Sequence, residues 1–204
     1  MVCFDMDGTL LDGEFLDTLA AEAGVGEEVA RITALAMGGS LDFEEAVRKR
    51  LQLLRGFPVS RIEQIVDSFP LMPGAEEAVR RLKQEGFVTG LITGGFSLAA
   101  ERVSRRLGLD FFIANDIGAD GGRLDGGFTL RVNGNKGELV RRTAGEMGCP
   151  FVFAVGDGAN DIAMLEAADV GIAFCAKPVV EAHAARIVRE KDLMAVLGII
   201  RGSI

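Results

Sequence analysis

The stretch Met1-Val2-Cys3-Phe4-Asp5-Met6-Asp7-Gly8-Thr9-Leu10-Leu11-Asp12 runs from an apolar segment straight into two carboxylates one residue apart, and then into a glycine. A continuous apolar run that stops at a charged lip reads as a strand of a parallel sheet, buried on both faces. Sheets of that kind take ligands in the crevice beyond their strand carboxyl ends, where Asp5 and Asp7 would stand. On an extended backbone residues i and i+2 face the same way, so two carboxylates crowd one space unless the chain turns or a cation enters. A metal-assisted site is one reading. A strand ended by an ordinary Asp-Gly-Thr turn is the other.

Downstream, the pattern from Pro73 alternates between helix and strand. Pro73 to Glu85 has helical periodicity with proline in its first turn, Gly86 stops it, and Phe87 to Ile92 is a strand that delivers Thr93-Gly94-Gly95. Ser97 to Leu107 reads as a helix, Phe111 to Ala114 as a short strand, and the glycine-rich piece from Asn115 to Val132 as a small antiparallel hairpin. A helix from Lys136 to Met147 is followed by the apolar strand Phe151 to Val155, the loop Gly156-Asp157-Gly158-Ala159-Asn160-Asp161, a helix, the strand Val170 to Phe174 and final helices. Repeated units of this kind predict an α/β fold with a doubly wound, mostly parallel sheet.

Between Asp12 and Pro70 the texture is helical throughout, which predicts an inserted cap over residues 13–70 on an α/β core of residues 1–12 and 71–204. Glu14 to Ala23 and Glu27 to Met37 carry apolar stripes, Gly38-Gly39 breaks the run, and a third helix covers Leu41 to Leu54. Ser60-Arg61-Ile62-Glu63 has the pattern of a capping box opening a fourth.

The chain of 204 residues is long enough to bury a core without disulfides. Its net charge of -8 argues against a nucleic-acid partner, since phosphate backbones reward Lys and Arg stripes. Apolar runs are shorter than a membrane span, and the N-terminus has no basic region with a small-residue cleavage site, so no membrane partner and a cytoplasmic location are expected. Cys3, Cys149 and Cys175 form no CxxC pair and are expected as buried thiols in a reducing compartment. The single histidine, His183, is expected in a late helix in a structural or surface role, which leaves no histidine triad or zinc cluster to assemble.

Parallel strands send their carboxyl ends to one edge, so Asp5, Asp7, Thr93, Asp157 and Asp161 should meet, with Lys136 at the start of a helix between them. Four carboxylates in one crevice call for a hard cation held through oxygen, and Mg²⁺ suits a site with few protein ligands and a phosphate. Lys136 and the metal would neutralise phosphate oxygens, Thr93 and the backbone N–H groups around Gly94 would bind them, and a carboxylate could attack phosphorus. Taken singly, Thr93-Gly94-Gly95 is a strand-to-helix turn and Lys136 a solvated helix-start lysine. The combination is what is specific.

These residues resemble the haloacid dehalogenase superfamily. Asp5-Met6-Asp7-Gly8-Thr9 is similar to its first motif, Thr93-Gly94-Gly95 to its second, Lys136 to its third and Gly156 to Asp161 to its fourth, and the resemblance extends over the whole chain. Within the superfamily the likeness is greatest to the phosphoserine phosphatase family, although Gly8 and Thr93 stand where that family often has serine. The resemblance implies that Asp5 is a nucleophile forming aspartyl-phosphate and Asp7 the general acid and base. It implies Mg²⁺ on the Asp5 carboxylate, the Asp7 main-chain carbonyl and the Asp157 carboxylate. Asn160 and Asp161 would support the site, and Thr93 and Lys136 would bind phosphate.

Helical geometry in the cap adds to this. Arg50 follows Ala46 by four residues and Phe43 by seven, which puts it on the apolar face, while Lys49 can reach solvent. An arginine there needs an anion, either an internal carboxylate or a ligand. Glu14 opens the first cap helix, where the helix dipole also favours a carboxylate. Together Arg50 and Glu14 could complement a zwitterion, with Arg50 on its carboxylate and Glu14 on its ammonium. Phosphoserine carries both beside its phosphate, and the resemblance implies substrate contacts from Glu14, Met37, Phe43 and Arg50. The expected enzyme is thus a phosphoserine phosphatase, a monomer or homodimer. A phosphatase or phosphotransferase for another small phosphomonoester, and a non-catalytic phosphometabolite sensor, are the alternatives. A dehalogenase would have no need of the acid Asp7.

Overall fold

The computed structural model describes residues 1–37 and 40–203, and the side chain of Met37 falls outside the description. The expected helix break at Gly38-Gly39 and the expected substrate contact from Met37 therefore lie outside the described residues. Among the described residues, β1 (Val2–Phe4), β2 (Thr89–Phe96), β3 (Phe111–Asp120), β4 (Arg123–Thr129), β5 (Phe153–Gly156), β6 (Val170–Phe174) and β7 (Arg186–Val188) form one sheet in the order β4-β3-β2-β1-β5-β6-β7. Every pairing is parallel except that of β3 with β4. β1 is central and wholly buried, as its apolar run requires. The chain leaves it towards β2 on one side and returns to β5 on the other, which makes the carboxyl end of β1 the topological switch point.

The helices are α1 (Phe15–Glu22), α2 (Gly26–Met37), α3 (Phe43–Leu53), α4 (Val59–Ser68), α5 (Ala75–Gln84), α6 (Ser97–Leu107), α7 (Lys136–Glu146), α8 (Ile162–Ala167), α9 (Pro178–Glu181) and α10 (Leu193–Arg201). Side chains of β1 alternate between two cores: Val2 and Phe4 pack with residues of α5, α6 and α10, and Cys3 with residues of α7 and α8. Phe15 and Leu16 of α1 and Phe43 and Val47 of α3 line one cavity with Asp5 and Thr93 at the carboxyl ends of the strands. Arg102 of α6 grips α4 through Asp67 at 2.7 Å and Glu63 at 3.2 Å. The α3–α4 connection is laced to the hairpin by Gly56 N–H to Leu124 C=O at 2.8 Å, Leu124 N–H to Phe57 C=O at 3.0 Å and Val59 N–H to Gly122 C=O at 2.9 Å. Val47 and Leu51 of α3 close a small apolar cluster with Phe96 at the end of β2. Asp42 caps α3 by accepting the Glu45 N–H at 2.7 Å, and Glu44 and Glu45 in its first turn suit the helix dipole.

Several local expectations are corrected. Ser60 does not cap α4, because the helix begins one residue earlier, after Pro58, and no side chain caps it. Pro73 is not inside α5: Gly74, at φ 77°, turns the chain between the two. β2 does not end at Ile92 but runs through Thr93-Gly94-Gly95 to Phe96, with a register shift against β3 that absorbs the two glycines. β3 is one long strand whose first half pairs with β2 and whose second half is the outgoing arm of the hairpin. β7 was expected as helix, and its three residues are too few to carry a readable period. His183 is in a turn after α9, at the surface, 2.6 Å from Glu166. Of the thiols only Cys3 is buried, Cys149 is half-buried and Cys175 is exposed. No helix among the described residues is long and apolar enough to cross a membrane.

Gly137 allows α7 to lie directly against α8, since a Cβ there would come within 2.4 Å of the Ala163 carbonyl oxygen. A glycine inside a helix ordinarily gains from replacement by alanine. Here Gly137→Ala should instead destabilise by about 1–3 kcal/mol, the usual range for overpacking, read as a fall in the urea midpoint at constant m-value. Because Lys136 is the adjacent residue, activity should fall with it.

Candidate active site

The registers Phe4 to Leu91 and Phe4 to Val155 bring the ends of β1, β2 and β5 level. Just beyond them stands a cavity of about 410 Å³. Asp5, Asp7, Thr93, Gly94, Lys136, Asp157 and Asn160 line its floor, and Glu14, Phe43 and Arg50 line its helical side. Asp161 is fully buried beneath the floor. Of the residues picked out by sequence, all with a described side chain are therefore at this one place.

Lys136 is 2% exposed and donates to Asp5 Oδ1 at 2.5 Å and to Asp161 Oδ1 at 2.6 Å. Burial alone would lower the pKa of its ammonium group, but Asp5 and Asp161 more than offset this and raise it, so the lysine stays charged. Burial and the nearby Asp161 push the Asp5 carboxyl well up, with Lys136 opposing. Asp161 spends its other oxygen on the backbone N–H groups of Gly158 at 3.0 Å and Asp157 at 3.2 Å, which folds the loop after β5 back under the site. The alternative reading of Lys136 taken singly, a solvated helix-start lysine, does not hold, because the residue is buried between Asp5 and Asp161.

Asp5, Asp157 and Asp161 each offer a carboxylate oxygen within 4.8 Å of the others. With all three ionised against the single ammonium of Lys136, two formal negative charges are left over. All the donors are hard oxygens, the set that divalent cations of the Mg²⁺ and Ca²⁺ kind prefer. The site is thus suited to a divalent cation. Burial, and then Asp161, push the Asp157 carboxyl up to about 6, although Thr9 donates to its Oδ1 at 3.0 Å. Gly8, at φ 72°, passes so close that a Cβ would lie 2.5 Å from Asp157 Oδ2. In this backbone, a side chain at position 8 would have to displace the Asp157 carboxylate.

Asp7 has a partner that sequence spacing did not reveal. Its Oδ1 accepts the N–H of Phe15, the first residue of α1, at 2.8 Å. Glu14, for which service to the helix start was the alternative to substrate binding, makes no such bond and is exposed at the cavity mouth. Burial pushes the Asp7 carboxyl up to about 7, with the Phe15 N–H opposing and Glu14 adding. That is a value at which a carboxyl can give and take a proton near neutrality. Arg50 also lacks the internal carboxylate that was one reading of it: among the described residues no acid lies within 4.0 Å, and its Nε donates to the Ala46 carbonyl at 3.2 Å. Burial lowers its pKa, with the charge of Asp17 opposing. Lys49, as expected, is on the solvent face with Glu45 at 3.1 Å.

Residues 1–169 match the haloacid dehalogenase-like hydrolase family. The chain belongs to that family. It is 40% identical over 206 residues to the phosphoserine phosphatase of Methanocaldococcus jannaschii, a match covering 98% of this chain and 97% of that protein. Its fold is similar to a phospho-aspartyl intermediate analogue of phosphoserine phosphatase, with a TM-score of 0.88 at 40% identity and 97% coverage of both chains. It is equally similar to a substrate-bound phosphoserine phosphatase complex, with a TM-score of 0.88 at 39% identity, covering 97% of this chain and 96% of the other. As a haloacid dehalogenase-like hydrolase, the chain is an enzyme. The sequence motifs and the cavity converge on one set of residues in it.

The raised carboxyls at Asp5 and Asp157 set the sign of a metal prediction. A group whose pKa is raised holds its proton at low pH, and that proton competes with the cation. A divalent cation should therefore bind more tightly at pH 7.5 than at pH 5.5, with protons released on binding. Calorimetry in two buffers of different ionisation enthalpy would measure both. Affinity independent of pH across this window would contradict the carboxylate site.

Proposed function

We propose that this enzyme is a Mg²⁺-dependent phosphoserine phosphatase working through an aspartyl-phosphate on Asp5. The observation that carries the substrate is Arg50, a cation on the cavity wall with no acid within 4.0 Å among the described residues, facing a phosphate-handling floor and sharing the cavity with Glu14. A substrate with a carboxylate and an ammonium beside its phosphate complements that pair. The relatives named phosphoserine phosphatase support the same reading.

In this reading Lys136 holds Asp5 by one oxygen and leaves the other to attack phosphorus. As the Asp5–phosphorus bond forms, the bond from phosphorus to the serine oxygen breaks, and Asp7 supplies the proton that the leaving alkoxide needs. Asp7 then takes a proton from water, whose oxygen displaces the Asp5 carboxylate and releases phosphate. One oxygen of Asp7 is fixed by the Phe15 N–H, so the other is free for both transfers. Thr93 accepts the Gly95 N–H at 2.9 Å, which leaves its hydroxyl hydrogen for a phosphate oxygen. A Mg²⁺ ion would be held by the Asp5 and Asp157 carboxylates and the Asp7 carbonyl, and it supplies neutralising charge to the phosphate. Residues 13–70 act as a cap that brings Glu14, Phe43 and Arg50 over the substrate and excludes water.

Phosphate release from L-phosphoserine and a panel of other esters, with Mg²⁺ and then chelator, tests this. Asp5→Asn should abolish turnover, and chelator should do so reversibly. Arg50→Ala should lower kcat/KM for phosphoserine by on the order of 10- to 100-fold, the worth of a charged hydrogen bond. An ester lacking a carboxylate should change little. Equal losses on both would remove the assignment of Arg50.

A further inference from the structure

Asn115 is wholly buried at the point where β3 leaves the parallel sheet for the hairpin. It does not line the cavity, and no motif includes it. Its side chain nevertheless makes four hydrogen bonds, all to backbone. Nδ2 donates to the carbonyl of Gly94 at 2.9 Å and of Val132 at 3.2 Å, and Oδ1 accepts the N–H groups of Arg131 and Val132, both at 2.8 Å. The orientation of the amide is forced, since carbonyls face one end and N–H groups the other.

Those partners belong to two separate parts of the site. The Gly94 carbonyl and the Gly95 N–H are the two ends of one peptide plane, so fixing the first fixes the second. The Gly95 N–H donates to Thr93 Oγ1 at 2.9 Å. On the other side, Arg131 and Val132 begin the segment that runs along the cavity at Val132, Asn133 and Gly134 and ends at Lys136. We propose that Asn115 is a positioning residue for phosphate binding: it holds the Gly94–Gly95 peptide so that Thr93 presents its hydroxyl hydrogen to the phosphate, and it sets the segment leading to Lys136 at a fixed distance from that hydroxyl. Serine or leucine at this position could not serve, because neither joins two carbonyls to two N–H groups. The inference rests on the reading of Thr93 as a phosphate-binding residue.

The test is a double-mutant cycle on the inhibition constant of inorganic phosphate, with Asn115→Ala, Thr93→Ala and their combination in the Mg²⁺-loaded enzyme. Asn115→Ala should weaken phosphate by on the order of tenfold, the scale of one hydrogen bond. In a background already carrying Thr93→Ala it should cost much less, because the group it acts through is gone. Combined with Arg50→Ala, its loss on phosphoserine kcat/KM should simply multiply. Asn115→Ser, which keeps one polar group for the Arg131 and Val132 amides, serves if the alanine variant does not fold, with circular dichroism as the check. Full additivity with Thr93→Ala, or an unchanged phosphate constant in a folded variant, would overturn the role of Asn115 and leave Thr93 in place. An unchanged constant in Thr93→Ala alone would overturn both.

Discussion

The ammonium of Lys136, cut off from water between Asp5 and Asp161, is the interaction on which the rest of the molecule depends. A charge so deeply buried is tolerable only with its partners in place, and removal of one partner from such a set leaves an uncompensated charge inside the protein. Each member comes from a different part of the chain: β1, the start of α7, and the loop between β5 and α8. Closing the triad therefore demands the β2-β1-β5 order of the sheet, the near contact of α7 with α8 at Gly137, and the tight loop whose Asp157 and Gly158 N–H groups donate to the Asp161 carboxylate. The same demand aims Asp5 at the cavity with one oxygen held.

The site is over-supplied with negative charge, and this has two effects. It leaves room for a divalent cation among Asp5, Asp157 and Asp161. It also adds, through Glu14 and Asp157, to the burial that pushes the Asp7 carboxyl up to about 7. Asp7 joins the two layers of the molecule as well. By capping α1 it ties the orientation of the first helix over the cavity to a carboxyl on the cavity floor. Helix placement and proton chemistry then depend on a single side chain, and neither can be changed alone.

The two halves of the chain were not equally legible. Strands β1, β5 and β6 are buried on both faces and read as plain apolar runs, and their polar ends Asp5 and Asp157 were found directly. The extension of β2 through Gly94-Gly95 was not, because two glycines look like a turn and their extended path is set by pairing with β3. The boundary at Pro58 was missed because Ser60 and Glu63 satisfy the pattern of a cap without making one. The Asp7 cap of α1 escaped notice since helix-cap patterns are local and this one spans eight residues. Asn115 carries no signal at all in a glycine-rich hairpin, where asparagine is an ordinary turn residue.

By itself the sequence determined most of the order of elements, the residue types at the strand ends and hence the class of chemistry, since periodicity and the functional group a side chain carries are properties of short segments. The apolar face of α3 likewise told that Arg50 would turn inward. Which charges meet was decided only in three dimensions. Lys136 is 131 residues from Asp5 and 25 from Asp161, and no local pattern encodes those separations. Tertiary structure made a lysine at a helix start into a buried counter-ion, a glutamate at a helix start into a cavity-mouth carboxylate, and an aspartate at a strand end into a helix cap. For the lysine and the aspartate the physical reason is the same: burial multiplies the strength of an electrostatic contact, and burial is a property of the folded chain.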